Sequence, residues 1–150
     1  MKTFVLWCLS GILIFSANSL SANPFIHRDG KLLEDSTGKT IKLKGVNLGG
    51  WLLWEGWIWG GGFTKQGKIL EQMEILTGKS NTDEFRDNVY RNFISEEDIR
   101  QVSQMGLNVV RVPFNNRIFD TLSSNAIGWQ ILDSLLGWCK KYHVYAVLDM

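Results

Sequence analysis

The chain has 150 residues, with 16 Lys plus Arg against 15 Asp plus Glu, a formal charge of +1 and 45% hydrophobic residues. This balance places it among folded globular chains and excludes collagen-like, disordered and strongly basic nucleic-acid-binding classes. Two cysteines cannot build a disulfide-rich scaffold.

The first stretch reads as a secretory signal peptide. Lys2 precedes an apolar run from Phe4 to Phe15, and small polar residues follow from Ser16 to Ala22. The run is shorter than the roughly 20 residues of a membrane-spanning helix, so residues 1–22 are expected to be cleaved, somewhere between Ser19 and Ala22. Residues 23–150 would then be exported, secreted to the extracellular space or periplasm, with no membrane partner after cleavage. Cys8 leaves with the leader, so Cys139 is expected to be a lone buried thiol.

After the leader, Phe25 to Arg28 and Lys31 to Glu34 flank Asp29-Gly30, a strong hairpin-turn dipeptide. A second turn, Asp35 to Lys39, leads into a strand over 40–44 that Gly45-Val46-Asn47 is expected to continue. Residues 51–95 form a long connection with four Trp, a Gly60-Gly61-Gly62 run and helix-like stretches near Lys68–Leu76 and Thr82–Phe93. Long connections of this kind are usually functional. Ser95 with Asp98 resembles a capping box, Ile99, Val102 and Met105 share a helical face, and Gly106 can close that helix. Residues 107–112 are a short apolar run stopped by Pro113, as in a buried strand. A polar loop to Asn125 precedes a helix carrying Ile127, Ile131, Leu135, Trp138 and Tyr142, and residues 144–148 are a third apolar strand.

Apolar strands joined by helical crossovers predict a parallel sheet and the α/β class. The third strand reaches Asp149-Met150 with no helix after it to cover its apolar side, so the chain is expected to be part of a larger, barrel-sized domain. Functional groups of parallel α/β folds lie beyond the carboxyl ends of the strands.

The segment from Trp51 to Trp59 holds four indoles and one carboxylate, Glu55, directly after the first core strand. Sugar rings pack their C–H faces on aromatic rings, and a carboxylate can accept hydrogen bonds from two neighbouring hydroxyls, so the composition suits carbohydrate binding. Any single Trp here is better read as core packing, whereas a carboxylate in so apolar a setting needs a partner. Glu55, Trp57 and Asn115 are the substrate-binding candidates. Arg111, a guanidinium at the end of an apolar strand, is the catalytic-support candidate, because Arg can hold a carboxylate ionised and oriented. Its structural alternative is a salt bridge to Glu55 or Asp149. Asn115, Asn116 and Arg117 either line a polar pocket or serve as turn residues. His27 and His143 have no companion at metal-ligand spacing, so no metal is expected and both read as structural. The glycine run lacks the context of a nucleotide loop, and no Gly-x-Ser-x-Gly elbow exists.

Three ordered segments form a series: Gly45 to Glu55, Gly106 to Phe114, and Leu132 to Tyr142 with Val147 to Met150. The series resembles glycoside hydrolase family 5, the cellulase family, and most of all its exo-β-1,3-glucanase-like branch, from about Phe25 onward. The resemblance implies an incomplete (β/α)8 TIM barrel, about the first three strands and two helices, preceded by a β-hairpin. It implies a secreted, retaining hydrolase of β-glucans or related polysaccharides that needs no cofactor, with two glutamates about 5–5.5 Å apart as acid/base and nucleophile. The family places both after later strands, beyond Met150, and a His directly after Met150; this stretch alone would be inactive. Arg111 matches the arginine that supports the nucleophile, and Glu55 the acidic residue that holds hydroxyls of the terminal sugar. Asn115-Asn116-Arg117 replaces the branch's Gly-Tyr-Trp, which leaves the glycan open. The alternatives are a non-catalytic carbohydrate-binding protein, against which the helical crossovers argue because such modules are usually β-sandwiches, and a pseudoenzyme.

Overall fold

The computed structural model describes residues 25–60, 62, 65–119 and 126–150. The expected signal peptide and the polar loop to Asn125 thus lie outside the described residues in whole or in large part. The chain divides into two compact units, one ending at Thr40 and one spanning Ile41–Met150.

In the first unit, β1 (His27–Asp29) and β2 (Leu32–Glu34) pair antiparallel, as the hairpin signal requires. Asp29 pairs with Leu32, so the loop residues are Gly30 and Lys31, one position later than the Asp-Gly dipeptide indicates. His27 faces Glu34 across the pair, its Nε2 3.7 Å from the carboxylate, a structural role. The Asp35 carboxylate accepts from the Thr37 and Lys39 amides at 2.9 and 3.1 Å and organises the second turn. β3 (Thr40–Ile41) completes the sheet order β1-β2-β3.

The second unit is mixed α/β. Its sheet has the order β4 (Gly45–Asn47), β5 (Val109–Pro113), β6 (Tyr145–Asp149), all parallel. The expected continuous strand from Thr40 to Asn47 is broken, and Asn108 supplies the reason. Its side-chain amide donates to the Lys42 carbonyl (2.9 Å) and its side-chain oxygen accepts from the Lys44 amide (2.8 Å). These backbone groups are satisfied without a strand partner. β5 begins at Val109 rather than Leu107, just after Asn108, whose amide donates to the Lys44 carbonyl and whose carbonyl accepts from the Tyr145 amide, each at 2.8 Å. Pro113 is the last residue of β5, not the residue beyond it, and Phe114 resumes the ladder by donating to the Asp149 carbonyl at 2.9 Å.

The long connection folds into α1 (Gln66–Thr77) and α2 (Lys79–Asn92), hinged at Gly78. Then come α3 (Glu96–Gln104), a 3-10 turn (Asn116–Phe119) and α4 (Ile127–Lys141). The Asp98 carboxylate accepts from the Ser95 amide at 2.8 Å and hydroxyl at 2.7 Å, which holds the start of α3. Helices α3 and α4 are tied by the Ser103 hydroxyl, which donates to the Tyr142 carbonyl (2.9 Å), and by Lys141 and Tyr142, which donate to Glu96 (2.5 and 2.9 Å). The core gathers Leu52, Ile99, Val110, Val112 and Leu135, all without solvent exposure, each contributing about 1.5–3 kcal/mol by burial. Among the described residues no helix is long and apolar enough to cross a membrane.

α3 and α4 end in the same way. The residue two past the cap donates back to the third-last helical carbonyl, Leu107 to Val102 at 3.2 Å and Val144 to Cys139 at 2.9 Å. The intervening residue must have positive φ; in α3 it is Gly106 (φ 75), in α4 it is His143 (φ 56). A side chain in this region costs about 1 kcal/mol or more. His143→Gly is therefore expected to raise the unfolding free energy by up to about 1 kcal/mol, read as a higher urea midpoint at unchanged slope; a lower midpoint would show that the imidazole contributes more than the strain removes. Cys139 is buried and unpaired, and burial pushes its thiol up to about 11 from 9.0. Because the folded value is raised, the thiol's contribution to stability is complete below pH 9 and is lost as pH climbs through 11. At pH 8 a maleimide is expected to label Cys139 only after denaturation, and fast labelling of the native protein would contradict the described packing of α4.

Candidate functional site

Directly opposite residues of a parallel sheet share a face, so the register sorts β5. Val110 and Val112 point into the core, while Arg111 points the other way and is half-exposed. Asn47 stands opposite Arg111, and Asp149 lies two residues beyond Arg111's other partner, Val147. The three polar side chains therefore meet at the carboxyl end of the sheet. Arg111 donates through Nη1 to the Asn47 side-chain oxygen at 2.8 Å and pairs through Nη2 with the Asp149 carboxylate. Of the two salt bridges open to Arg111, the one to Asp149 forms. These contacts leave the rest of its five donors unspent among the described residues.

Past the end of β4 the chain stays beside β5. The Leu48 amide donates to the Arg111 carbonyl (2.9 Å), Gly50 bends the backbone (φ 71), and Leu52 pairs with Phe114 in a parallel bridge. The Leu52 carbonyl then accepts from the Asn115 amide at 3.3 Å, which brings Asn115 beside Leu53 to Glu55. Three of the four indoles hold this segment against α2. Trp51 donates from Nε1 to the Tyr90 carbonyl (2.8 Å), and Trp59 from Nε1 to the Gly50 carbonyl (3.1 Å). Trp54 stacks on Trp59 with centroids 4.7 Å apart and meets Phe85 and Tyr90 edge-on. Trp51 and Trp54 are core residues and Trp59 packs partly buried against the core, as the single-residue reading favours. Trp57 is the exception, 61% exposed on the turn that follows.

Glu55 is partly buried. Its carbonyl accepts from the Ile58 and Trp59 amides at 2.9 and 3.3 Å, and its backbone bridges that of Lys65. None of the described residues donates to its carboxylate, so the partner that burial calls for is not among them. Glu55 lines a cleft of about 530 Å³ with Trp54, Lys65, Gln66, Asn115 and Arg117. Asn115 is both turn and wall, since its side-chain oxygen accepts from the Arg117 amide at 3.0 Å and opens the 3-10 turn. Of the residues singled out in the sequence, Glu55 and Asn115 come together in one cleft. Arg111 stands apart at the sheet end, and Trp57 is not among the cleft-lining residues.

Asn47 and Gln66 escaped the sequence reading. Asn47 carries a detectable signal, a polar residue at the carboxyl end of a core strand just as Arg111 is. Gln66 carries none. It accepts from the Trp54 amide at 3.2 Å and donates to the Tyr90 hydroxyl at 2.8 Å, so it joins the aromatic loop to α2, and burial holds the Tyr90 phenol above its usual range. Among the described residues no group of three acidic, His or Cys side chains is placed to hold a metal ion.

No family model matches the chain. It is similar to a β-xylosidase of Phanerodontia chrysosporium, 30% identical over 84% of this chain and 27% of the relative. A protein described as probable glucan 1,3-beta-glucosidase A of Emericella nidulans is 30% identical over 73% of this chain and 28% of the relative. A glucan 1,3-beta-glucosidase of Yarrowia lipolytica is 30% identical over 92% of this chain and 36% of the relative. The chain thus spans 27 to 36% of the length of these relatives.

Gln66→Ala is expected to cost about 1–3 kcal/mol, because the Trp54 amide and Tyr90 hydroxyl both lose their partner. Urea unfolding followed by tryptophan fluorescence measures it, and an unchanged midpoint would mean that water replaces both contacts.

Proposed function

We propose that the chain is the amino-terminal part of the catalytic domain of a secreted glycoside hydrolase acting on β-linked glucans or related glycans. The observation that carries this is the convergence of Glu55 and Asn115 in a cleft just past the carboxyl ends of two parallel strands, in a chain whose named relatives are glycosidases. The finer reading places it in glycoside hydrolase family 5, on a (β/α)8 barrel of which β4, β5 and β6 are the first three strands, exported by the signal peptide at residues 1–22. What supports it is the ordered motif series together with three parallel strands and their polar carboxyl ends.

The residues then take distinct roles. Glu55 accepts from neighbouring hydroxyls of one sugar ring, for which a carboxylate that no described residue engages is suited. Asn115 supplies a neutral amide on the same wall. Trp57 offers an exposed indole face to a further ring. Arg111, held in place by Asn47 and Asp149, turns its remaining donors to the nucleophile, keeping that carboxylate ionised and aimed. In retaining hydrolysis one carboxyl protonates the leaving oxygen and a second, about 5–5.5 Å away, attacks the anomeric carbon. The resemblance assigns both to later strands, in the length of the relatives that this chain does not span.

Calorimetric titration with a neutral β-1,3-linked gluco-oligosaccharide tests the reading. Glu55→Gln is expected to weaken binding about tenfold, since a hydrogen bond to a charged group is replaced by one to a neutral amide, with an unchanged circular dichroism spectrum. Equal binding by wild type and variant would remove Glu55 from the sugar site.

A further inference from the structure

The Glu55 cleft does not end at its own walls. A second cleft of about 610 Å³ shares Gln66, Gly67, Asn115 and Arg117 with it, so the two form one groove on either side of Arg117. The cations along this groove differ in how they are used. Lys68 is paired with Glu71 at 2.6 Å, and Arg86 with Asp83 and Asp87 at 2.9 Å each. Arg91 donates to the neutral side-chain oxygen of Gln130 at 3.3 Å. Lys65 and Arg117 have no carboxylate within ion-pair distance among the described residues, and neither does Arg91. Among the described residues that line the groove, Glu55 is the carboxylate without a cation. In a chain of net charge +1, this groove therefore gathers three cations that no described carboxylate pairs, with Arg117 where the two clefts meet.

We propose that the groove binds a glycan carrying carboxylate groups, an acidic sugar held by Arg117 with Lys65 and Arg91 on its flanks. The inference rests on the sugar-binding reading of the Glu55 cleft and adds the class of substrate. Arg117 suits the role because its backbone is fixed by the Asn115 side chain while no described carboxylate pairs with its guanidinium, and a guanidinium engages a carboxylate through two parallel hydrogen bonds. The concave walls raise the local attraction for anions. Glu55 repels a second negative charge, so the acidic sugar is directed to the Arg117 side and the hydroxyls of its neighbour to Glu55. A neutral glycan gains nothing from the three cations.

The test compares two probes on the full chain by calorimetry: a neutral β-1,3-linked gluco-oligosaccharide, and the same oligosaccharide oxidised to carboxylates at C6. The oxidised probe is expected to bind about tenfold tighter at low ionic strength, an advantage that shrinks in 0.5 M salt as exposed charges are screened. Arg117→Gln is expected to abolish most of that advantage, bringing the ratio of the two affinities close to one. Arg117 is an exposed side chain, and Lys65→Gln provides a second variant, expected to reduce the advantage in part. Equal affinity for the two probes overturns the acidic-glycan assignment and leaves the sugar-binding reading intact. A full advantage retained in Arg117→Gln overturns the role of Arg117. Binding of neither probe overturns both readings.

Discussion

Strand β5 is apolar and buried at Val110 and Val112 and polar at Arg111, and a register shift of one residue would exchange the two faces. Two features hold the register. Gly45, opposite Val109, permits a close backbone approach; a Cβ there would lie 1.7 Å from the Val109 carbonyl oxygen. At the other end of the strand the Phe114 amide reaches the Asp149 carbonyl. With register held, Asn47, Arg111 and Asp149 are obliged to meet on one face. The carbonyl of Leu52 is likewise obliged to receive Asn115. Both polar clusters past the strand ends are consequences of one pairing pattern.

The aromatic loop between β4 and α1 shows how a composition suited to sugar binding can serve packing first. Trp51, Trp54 and Trp59 satisfy or bury their indoles against α2 and the loop's own backbone. Their burial is what carries a carboxylate, Glu55, into a concave and partly apolar place with no cation paired to it among the described residues. Such a group is tolerated when solvent or a ligand can reach it. The unpaired cations along the adjoining groove follow the same logic. The neighbouring carboxylates, Glu71, Asp83 and Asp87, are spent on Lys68 and Arg86 within their own helices, which leaves Lys65, Arg91 and Arg117 to face outward partners.

Much of the architecture was legible in the residues. The hairpin, the helix opened by Ser95 and Asp98, the apolar strands and the long amphipathic α4 follow from periodicity and capping chemistry, which act over a few residues. Local signals also located the two helices of the long connection, while α1 begins earlier and α2 is longer than the pattern alone indicated. The break between β3 and β4 was not legible, because its cause is the side chain of Asn108, more than 60 residues away. Gln66 was hidden for a similar reason: its value lies in reaching Trp54 and Tyr90 at once, and nothing in its own neighbourhood announces that.

By itself, then, the order of residues determined the α/β class and the polar positions at the strand ends, and it put Glu55, Asn115 and Arg111 forward as candidates, since these depend on residue type and short-range spacing. Tertiary structure alone decided that Arg111 pairs with Asp149 rather than Glu55, that Trp51 and Trp54 enter the core, Trp59 packs against it and Trp57 is exposed, and that Glu55, Asn115 and Arg117 share one groove. Those outcomes depend on through-space pairing between segments distant in sequence, where several partners satisfy the same local chemistry and only the packed geometry selects one.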